Sequence, residues 1–200
     1  MNKIKVNKLL FVIDTQVGFI TGSLANTFAQ AKVPNIVNKI KHWDGAIIAT
    51  HDTHFTELQV KSAWPPEGIV AYKDSLEYKF NKLNPLPEHC IKLSDDWQIH
   101  PDILAECVKF NKDKHMFFCV DKYTFGYYDW KKYLEDFEFE EIEICGFVSS
   151  ICVLANAIIL RAIYPNKRIV VYANCIADIS EEMQQAAINC LRAQQIEVIE

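Results

Sequence analysis

Residues 141–160, "EIEICGFVSSICVLANAIIL", change from one type of secondary structure to another within a few positions. Charged and apolar residues alternate over the first five positions, which is the period of a half-buried β-strand. Apolar residues then recur at helical spacing, and the run stops before Pro165. The segment predicts a strand at 140–146, a small polar turn, and a helix at 151–163 whose first turn holds Cys152.

The same alternation of strand and helix patterns extends along the whole chain. The predicted strands are 8–14, 45–50, 114–121, 140–146, 167–173 and 195–199. The predicted helices are 26–43, 99–110, 129–136, 151–163 and 180–193. Strands that alternate with helices form right-handed βαβ units. The sequence therefore predicts an α/β fold with three layers, in which a doubly wound, mostly parallel sheet has helices on both faces.

The composition of the 200 residues excludes several classes of protein. Half of the residues are apolar, which is enough for a sizeable core. The net charge of −5 is small and no cluster of Lys and Arg forms a stripe, so we expect neither nucleic acid nor membrane as a partner. We expect a single domain over 1–200. The one long irregular stretch, at about 51–98, is expected to be an extended active-site loop, because long loops in compact domains are usually functional.

The cysteines predict a reduced, cytoplasmic protein. Their number is odd, and there is no CxxC motif and no spacing typical of secreted disulfide frameworks. The N-terminal segment is typical of a buried strand rather than a signal peptide. Six of the seven cysteines are expected to be small buried hydrophobic residues, namely Cys90, Cys107, Cys119, Cys145, Cys175 and Cys190. Cys152 is the exception.

Ionisable residues stand where several predicted strands end. Asp14 closes the first long strand, Asp52 the second and Lys122 the third, and the fourth leads into Cys152. In an open parallel sheet, ligands bind outside the carboxyl ends of the strands. These four side chains are therefore the candidates for a common site.

A cysteine in the first turn of a helix is a candidate nucleophile. Unpaired N–H groups and the positive end of the helix dipole favour its thiolate form. Lowering the pKa by ~2 units from about 8.5 would make the thiolate the major form at neutral pH. Asp14 is then the candidate general base, and Lys122 the cation that stabilises both anions. Each residue also has a structural alternative: a buried cysteine, a turn aspartate and a surface lysine.

The segment "THDTHFTE" at 50–57 suggests a metal site. Asp52 and His54 are two residues apart, so their side chains point the same way in an extended segment. A carboxylate with two imidazoles suits zinc, iron or manganese. On spacing alone, the third ligand remains open among several residues: His51, His89, His100 and Glu57.

Five short segments carry a resemblance to a known family. They are "VIDTQVGFITGSL" (12–24), "ATHDTH" (49–54), "LPEHCIK" (86–92), "DKYTFG" (121–126) and "GFVSSICV" (146–153). In this order they resemble the nicotinamidase branch of the isochorismatase-like cysteine hydrolases. Each segment alone is a modest signal, but five in the right order over most of the chain are specific.

The resemblance implies a three-layer α/β fold and a catalytic triad of Cys152, Asp14 and Lys122. It also implies a cis peptide bond before an oxyanion-binding turn. In this sequence that bond would fall between Val148 and Ser149.

The resemblance also implies a divalent metal on Asp52, His54 and His89, with zinc expected first and iron or manganese as alternatives. Glu67 in "AWPPEG" stands where relatives have a histidine, so His89 is assigned as the third ligand. Glu57 or Glu67 is a candidate additional ligand.

The implied activity is that of a metal-assisted cysteine amidohydrolase. It would cleave a small amide through a thioester, with nicotinamide giving nicotinate and ammonia. An isochorismatase-like hydrolase, a hydrolase of ureides or other amides, and a non-catalytic binding relative remain alternatives. The family favours homo-oligomers, and residues 58–84 are expected to form a lid. The predicted pocket walls are Phe19, Trp64, Tyr123 and Phe125.

Overall fold

A six-stranded parallel sheet forms the centre of the computed structural model, which describes residues 3–56, 58–59, 87–112 and 116–200. Its strands follow the spatial order β4-β3-β2-β6-β7-β8. They are β2 (Lys8–Ile13), β3 (Ala46–Asp52), β4 (Met116–Lys122), β6 (Glu141–Phe147), β7 (Arg168–Ala177) and β8 (Glu197–Ile199). A separate parallel pair joins β1 (Ile4–Lys5) to β5 (Phe137–Glu138).

The central strand, β2, explains why the sheet is buried on both sides. Its sequence KLLFVI places Leu9 and Phe11 in the apolar core on one face, and Leu10 and Val12 in the core on the other. All four side chains are fully buried. A continuous apolar run of this kind suits a strand that helices cover on both faces.

Helices cover the two faces, as the alternating pattern predicts. Within the described residues, the α-helices with defined bounds are α1 (Val17–Ile20), α2 (Thr27–Lys41), α3 (Pro101–Lys112), α4 (Trp130–Tyr133), α5 (Leu154–Ile163) and α6 (Glu181–Ala193). Apolar side chains of α1, α2 and α3 pack into one core, and those of α4, α5 and α6 pack into the other. The predicted doubly wound, three-layer α/β fold is confirmed.

Strand β6 is more deeply buried than its alternating pattern predicts. Glu143 is only 2% exposed, although charge at every second position is typical of a half-buried strand. Its carboxylate pairs with Lys39 of α2 and with Lys8. Long lysine side chains can cover such a position and supply its countercharge, so a charged residue can occupy the core face.

Two of the six cysteines predicted to be buried are exposed. Cys119 lies on the edge strand β4, and Cys190 lies on α6. Edge strands and the outer sides of covering helices contact solvent, and small residues are tolerated there. The other four are buried as predicted, and all seven cysteines are unpaired.

The sheet brings the predicted strand-end residues to one edge. Every pair of neighbouring strands is parallel, so all six carboxyl ends lie on the same side. Asp52 and Lys122 occupy adjacent register positions at the ends of β3 and β4. Within the part of the chain that the structure describes, no helix combines the length and apolar character that crossing a membrane requires.

Candidate active site

Lys122 is the centre of a cluster of ionisable groups. Its side chain is fully buried, and its Nζ lies 2.7 Å from Asp14 Oδ2 and 3.3 Å from Asp52 Oδ1. The same Nζ lies 3.6 Å from Cys152 Sγ. The structure thus brings the four strand-end candidates together, and Lys122 is not a surface lysine.

Asp14 is held in place by its backbone and by Thr50. It has a φ of 45°, in the left-handed region that non-glycine residues seldom adopt. Its amide donates to Thr50 Oγ1 at 3.0 Å, and the Thr50 hydroxyl donates to Asp14 Oδ1 at 2.6 Å. Thr50 thus holds Oδ1 of the carboxylate, and Oδ2 is directed to Lys122.

The chain reaches Cys152 through a close approach of two strands. At Gly146 φ is 120°, and a Cβ atom there would lie 2.0 Å from the carbonyl oxygen of Ile13. Only glycine allows β6 to come so close to the end of β2. The cis peptide bond joins Phe147 and Val148, so the predicted position at Val148–Ser149 is wrong by one bond.

Cys152 lies in a π-helical turn rather than in the first turn of an α-helix. This turn spans Ser149–Val153, and α5 starts only at Leu154. The helix predicted at 151–163 therefore consists of two elements, the end of the π-helical turn and α5. A π-helical turn inserts one residue into a helix, and periodicity in the sequence does not distinguish it from an α-helical start.

Burial raises the pKa of the Cys152 thiol well above its ordinary value. Lys122 opposes this effect, but the carboxylates of Asp14 and Asp52 add to it. The lowered thiol pKa predicted from a helix terminus is therefore wrong, because desolvation dominates. Burial also raises the pKa of Asp14, again against the influence of Lys122. Burial thus favours the neutral thiol, and it also increases the basicity of the Asp14 carboxylate in the same cluster.

Asp52, His54 and His89 form the candidate metal centre. One ligand atom from each lies within 4.8 Å of the others, and all three residues are buried. Asp52 Oδ2 is 3.0 Å from His54 Nε2 and 3.5 Å from His89 Nε2. His89 Nδ1 lies 2.7 Å from the carbonyl oxygen of Pro87, which leaves Nε2 facing Asp52.

The chemistry of these donors fits a divalent metal ion. Although burial favours a neutral Asp52, Lys122 and His54 hold its pKa well below the usual range, so the carboxylate is ionised. An anionic oxygen with two imidazole nitrogens suits zinc, iron or manganese. Of the open alternatives, His51 and His100 are not part of the cluster. Glu57 and Glu67 lie outside the described residues.

A cavity of about 400 Å³ adjoins the cluster. Phe19 and Phe125 line it as predicted, whereas Tyr123 packs near Phe55 and is not among its described lining residues. Trp64 and most of the predicted lid at 58–84 lie outside the described part of the chain. The lining residues are Phe19, Ser23, Leu24, Ala25, Asn26, Asp52, His89, Phe125, Val148, Ile151, Cys152 and Ile179.

Several supporting residues were not identified from the sequence. The Gln16 side chain accepts from the Asp52 amide at 2.8 Å and donates to the Asp52 carbonyl at 2.9 Å, which fixes the end of β3. Asn156 donates to the Cys152 carbonyl at 2.8 Å, and Asp178 accepts from the Ser150 amide. Gln16 lies in the quoted segment "VIDTQVGFITGSL", but nothing in the sequence pattern marks Asn156 or Asp178.

One protein family matches almost the whole chain. Residues 8–200 match the model of the isochorismatase domain. The chain belongs to the isochorismatase family. The predicted resemblance is confirmed at this level, and no curated protein sequence gives a significant match.

Several solved structures share the fold of this isochorismatase-family chain. The nicotinamidase/pyrazinamidase of Bacillus subtilis has a TM-score of 0.74 at 18% identity, covering 97% of this chain and 100% of that one. The pyrazinamidase/nicotinamidase of Streptococcus mutans has a TM-score of 0.72 at 24% identity, covering 96% and 100%. The pyrazinamidase of Pyrococcus horikoshii, solved with zinc, has a TM-score of 0.66 at 18% identity, covering 97% and 99%.

Proposed function

We propose that this protein is a cysteine amidohydrolase that cleaves the C–N bond of a small amide, with nicotinamide as the preferred candidate. One observation carries the proposal. The Lys122 ammonium lies between the Asp14 carboxylate and Cys152 Sγ, and Cys152 faces the cavity. A nucleophile, an adjacent base and a fixed cation beside a cavity are the components that covalent acyl transfer requires.

In the first half of the reaction, Cys152 Sγ attacks the carbonyl carbon while Asp14 takes the thiol proton. The electron pair of the C=O π bond moves to the oxygen. The oxyanion would be bound by backbone N–H groups near Ser149 and Cys152, whereas the Ser150 N–H already donates to Asp178. The C–N bond then breaks, and Asp14 transfers its proton to the nitrogen, which leaves as ammonia.

In the second half, water attacks the thioester. Asp14 accepts a proton from the water as the new C–O bond forms. The C–S bond breaks, the carboxylic acid leaves, and the proton held by Asp14 returns to Cys152 Sγ. The raised pKa of Asp14 makes it a stronger base than an ordinary carboxylate, which suits this repeated transfer. In the resting site the pKa of Lys122 is raised, because the two neighbouring carboxylates outweigh the effect of burial, so its ammonium is in place when the reaction begins.

We further propose that Asp52, His54 and His89 hold a divalent metal, with zinc as the first candidate. The zinc bound to the Pyrococcus horikoshii pyrazinamidase and the donor set of this chain support that choice. When bound, the metal would orient a substrate that offers a ring nitrogen. Iron or manganese would suit the same donors.

The remaining predictions concern organisation. We propose that residues 1–200 act as one catalytic domain, since the family match extends over 8–200. The seven unpaired cysteines suit a reducing compartment such as the cytoplasm. Assembly into homo-oligomers remains a prediction.

An ammonia-release screen tests the proposal. The metal-loaded protein and its Cys152→Ala variant are assayed on nicotinamide, pyrazinamide and a panel of small amides and ureides. Release from nicotinamide by the wild type alone supports the full proposal, and release from another amide or a ureide changes only the substrate. Ammonia release that survives Cys152→Ala, or no ammonia release from any of these compounds by the wild type, overturns it.

A further inference from the structure

Asp178 is a buried carboxylate directly behind the turn that carries Cys152. It follows the last residue of β7 and is 1% exposed. Its Oδ2 accepts from the Ser149 hydroxyl at 2.8 Å and from the Ser150 amide at 2.6 Å. Its Oδ1 accepts from the amide of Ile179 at 2.9 Å. The described partners of this carboxylate are thus hydroxyl and amide donors, two of them in the cysteine turn.

The turn that Asp178 contacts is the π-helical one. The Val153 amide donates to the Val148 carbonyl at 3.2 Å, five residues back, so the turn is one residue wider than in an α-helix. Successive α-helical residues lie about 100° apart around the axis. A return to α-helical spacing would therefore rotate side chains of this turn by a comparable angle. Cys152 would then leave its position 3.6 Å from Lys122 Nζ.

The hydrogen bonds to Asp178 oppose that relaxation. Without the carboxylate, the Ser149 hydroxyl and the Ser150 amide would lose these acceptors in a largely buried region, which is unfavourable for both donors. On the other side of the turn, Asn156 donates to the Cys152 carbonyl at 2.8 Å. Asp178 and Asn156 thus fix opposite parts of the same turn.

Asp178 also connects the turn to the cavity wall. The Asn26 side chain donates to the Asp178 carbonyl at 2.9 Å, and both Asn26 and Ile179 line the cavity. A shift of the 178–179 segment would therefore change the position of the wall relative to Cys152.

We propose that Asp178 is a positioning residue, which stabilises the π-helical turn and thereby directs Cys152 towards the substrate carbonyl. The inference rests on the proposed function for its catalytic meaning. Asp178 itself touches neither the thiol nor Lys122 through any described hydrogen bond or ion pair. Its effect is transmitted through Ser149 and Ser150.

Four variants test this role: Asp178→Ala, Asp178→Asn, Ser149→Ala and, as a matched buried carboxylate far from the turn, Glu143→Gln. The readouts are kcat and KM for the amide found in the screen, the melting temperature, and the rate of iodoacetamide alkylation of Cys152. Peptide mass spectrometry separates Cys152 from the exposed Cys190, which serves as an internal reference.

Asp178→Ala should lower kcat by about 10- to 100-fold with little change in KM, because a misdirected nucleophile affects the chemical step. Alkylation of Cys152 should slow by about tenfold, since the sulfur loses its cationic neighbour. Asp178→Asn should lose less of both rates than Asp178→Ala, because the amide oxygen can accept from Ser149 and Ser150 although its NH2 group cannot accept from the Ile179 amide. Glu143→Gln should change stability alone.

Unchanged alkylation and kcat in folded Asp178→Ala would overturn the inference, as would equal losses in Asp178→Ala and Glu143→Gln. If Asp178→Ala does not fold, Ser149→Ala decides, since it removes only one of the two bonds from the turn to Oδ2. That variant should slow alkylation of Cys152 by about threefold, and no effect would exclude the role. The wild type could cleave no amide while alkylation of Cys152 still depends on Asp178. That result would exclude the proposed function but support the positioning role of Asp178.

Discussion

Two buried lysine–carboxylate clusters lie at opposite ends of the sheet. At the amino ends of the strands, Lys8 and Lys39 both contact the carboxylate of Glu143, and Lys8 also contacts that of Glu141. At the carboxyl ends, the single ammonium of Lys122 is shared by Asp14 and Asp52. The first cluster thus has an ammonium group for each carboxylate, whereas the second has one ammonium group for two carboxylates.

The amino-end cluster is electrostatically complete. Burial alone would raise the pKa of Glu143, but its hydrogen bonds, that from Lys39 foremost, lower it to about 2. The Lys39 ammonium also lies 3.5 Å from the ring centroid of Tyr172 and 5.2 Å from that of Trp43. Every charge has a partner and aromatic rings pack around the lysine, so this cluster is structural.

The carboxyl-end cluster is incomplete without a proton or a cation. One lysine cannot balance two buried carboxylates, and a third group, the Cys152 thiol, competes for the same ammonium. Burial and the neighbouring Asp52 carboxylate raise the affinity of Asp14 for a proton, whereas Asp52 stays ionised and available to a metal. A buried ion pair therefore does not identify a site by itself. A site is identified when several acidic groups share one lysine beside a cavity, as Asp14, Asp52 and Cys152 share Lys122 here.

The largest expected effect concerns the thiol, which only the carboxyl-end cluster has. Cys152→Ala should reduce amide hydrolysis by at least ~10⁴-fold, because the covalent route is lost. Cys145→Ala is the matched control, since Cys145 is a fully buried cysteine of β6 outside the cluster. It should keep most of the activity. Steady-state ammonia release measures both variants, and equal losses would end the assignment of Cys152 as nucleophile.

The next expected effect separates the two lysine roles. Lys122→Met leaves two carboxylates buried without their cation and should lower the free energy of unfolding by about 3–5 kcal/mol, with activity lost. Lys39→Met removes one of two cations beside Glu143 and should cost about 1–2 kcal/mol, with activity kept. Urea denaturation and ammonia release are measured on both. Similar behaviour of the two variants would remove the distinction between the clusters.

Metal content provides the third test. The purified wild type should bind zinc, iron or manganese at about one ion per chain, and the double variant His54→Ala with His89→Ala should bind less than about a tenth of that. His100→Ala is the control, because His100 lies outside the cluster. Elemental analysis by mass spectrometry gives the result. A wild type that is active without any metal would contradict the assignment.

The fold and the residues around Lys122 could be predicted because both depend on short, local patterns in the sequence. Apolar periodicity identifies the strands. Parallel strands bring Asp14, Asp52 and Lys122 to one edge of the sheet, and this does not depend on the conformation of the loops. The location of the turn that carries Cys152 followed from the same pattern. These predictions required only short windows of sequence.

What the sequence did not predict depends on tertiary contacts. Asp178 lies 29 residues from Ser149, and no periodic pattern relates the two. The Cys152 pKa was predicted in the wrong direction because a helix terminus was considered without the burial that outweighs it. The alternating pattern predicted a half-exposed strand at Glu143. Its partner Lys39 lies on a helix 104 residues away in sequence, so the local pattern could not show that the carboxylate is buried and paired.

The smallest expected effect concerns the pH dependence of the amino-end cluster alone. The pKa of Glu143 falls from an ordinary value of 4.5 to about 2 in the folded protein. A depressed pKa gives stability that is fully present above the unfolded value and is lost as the pH falls towards the folded value. Wild type should therefore exceed Glu143→Gln in free energy of unfolding above about pH 5, by about 1–2 kcal/mol because solvent screens part of the interaction. The difference should shrink steadily between pH 5 and pH 2. Urea denaturation of both proteins across this range measures it, and a difference that stays constant with pH would show that the Glu143 charge contributes nothing to stability.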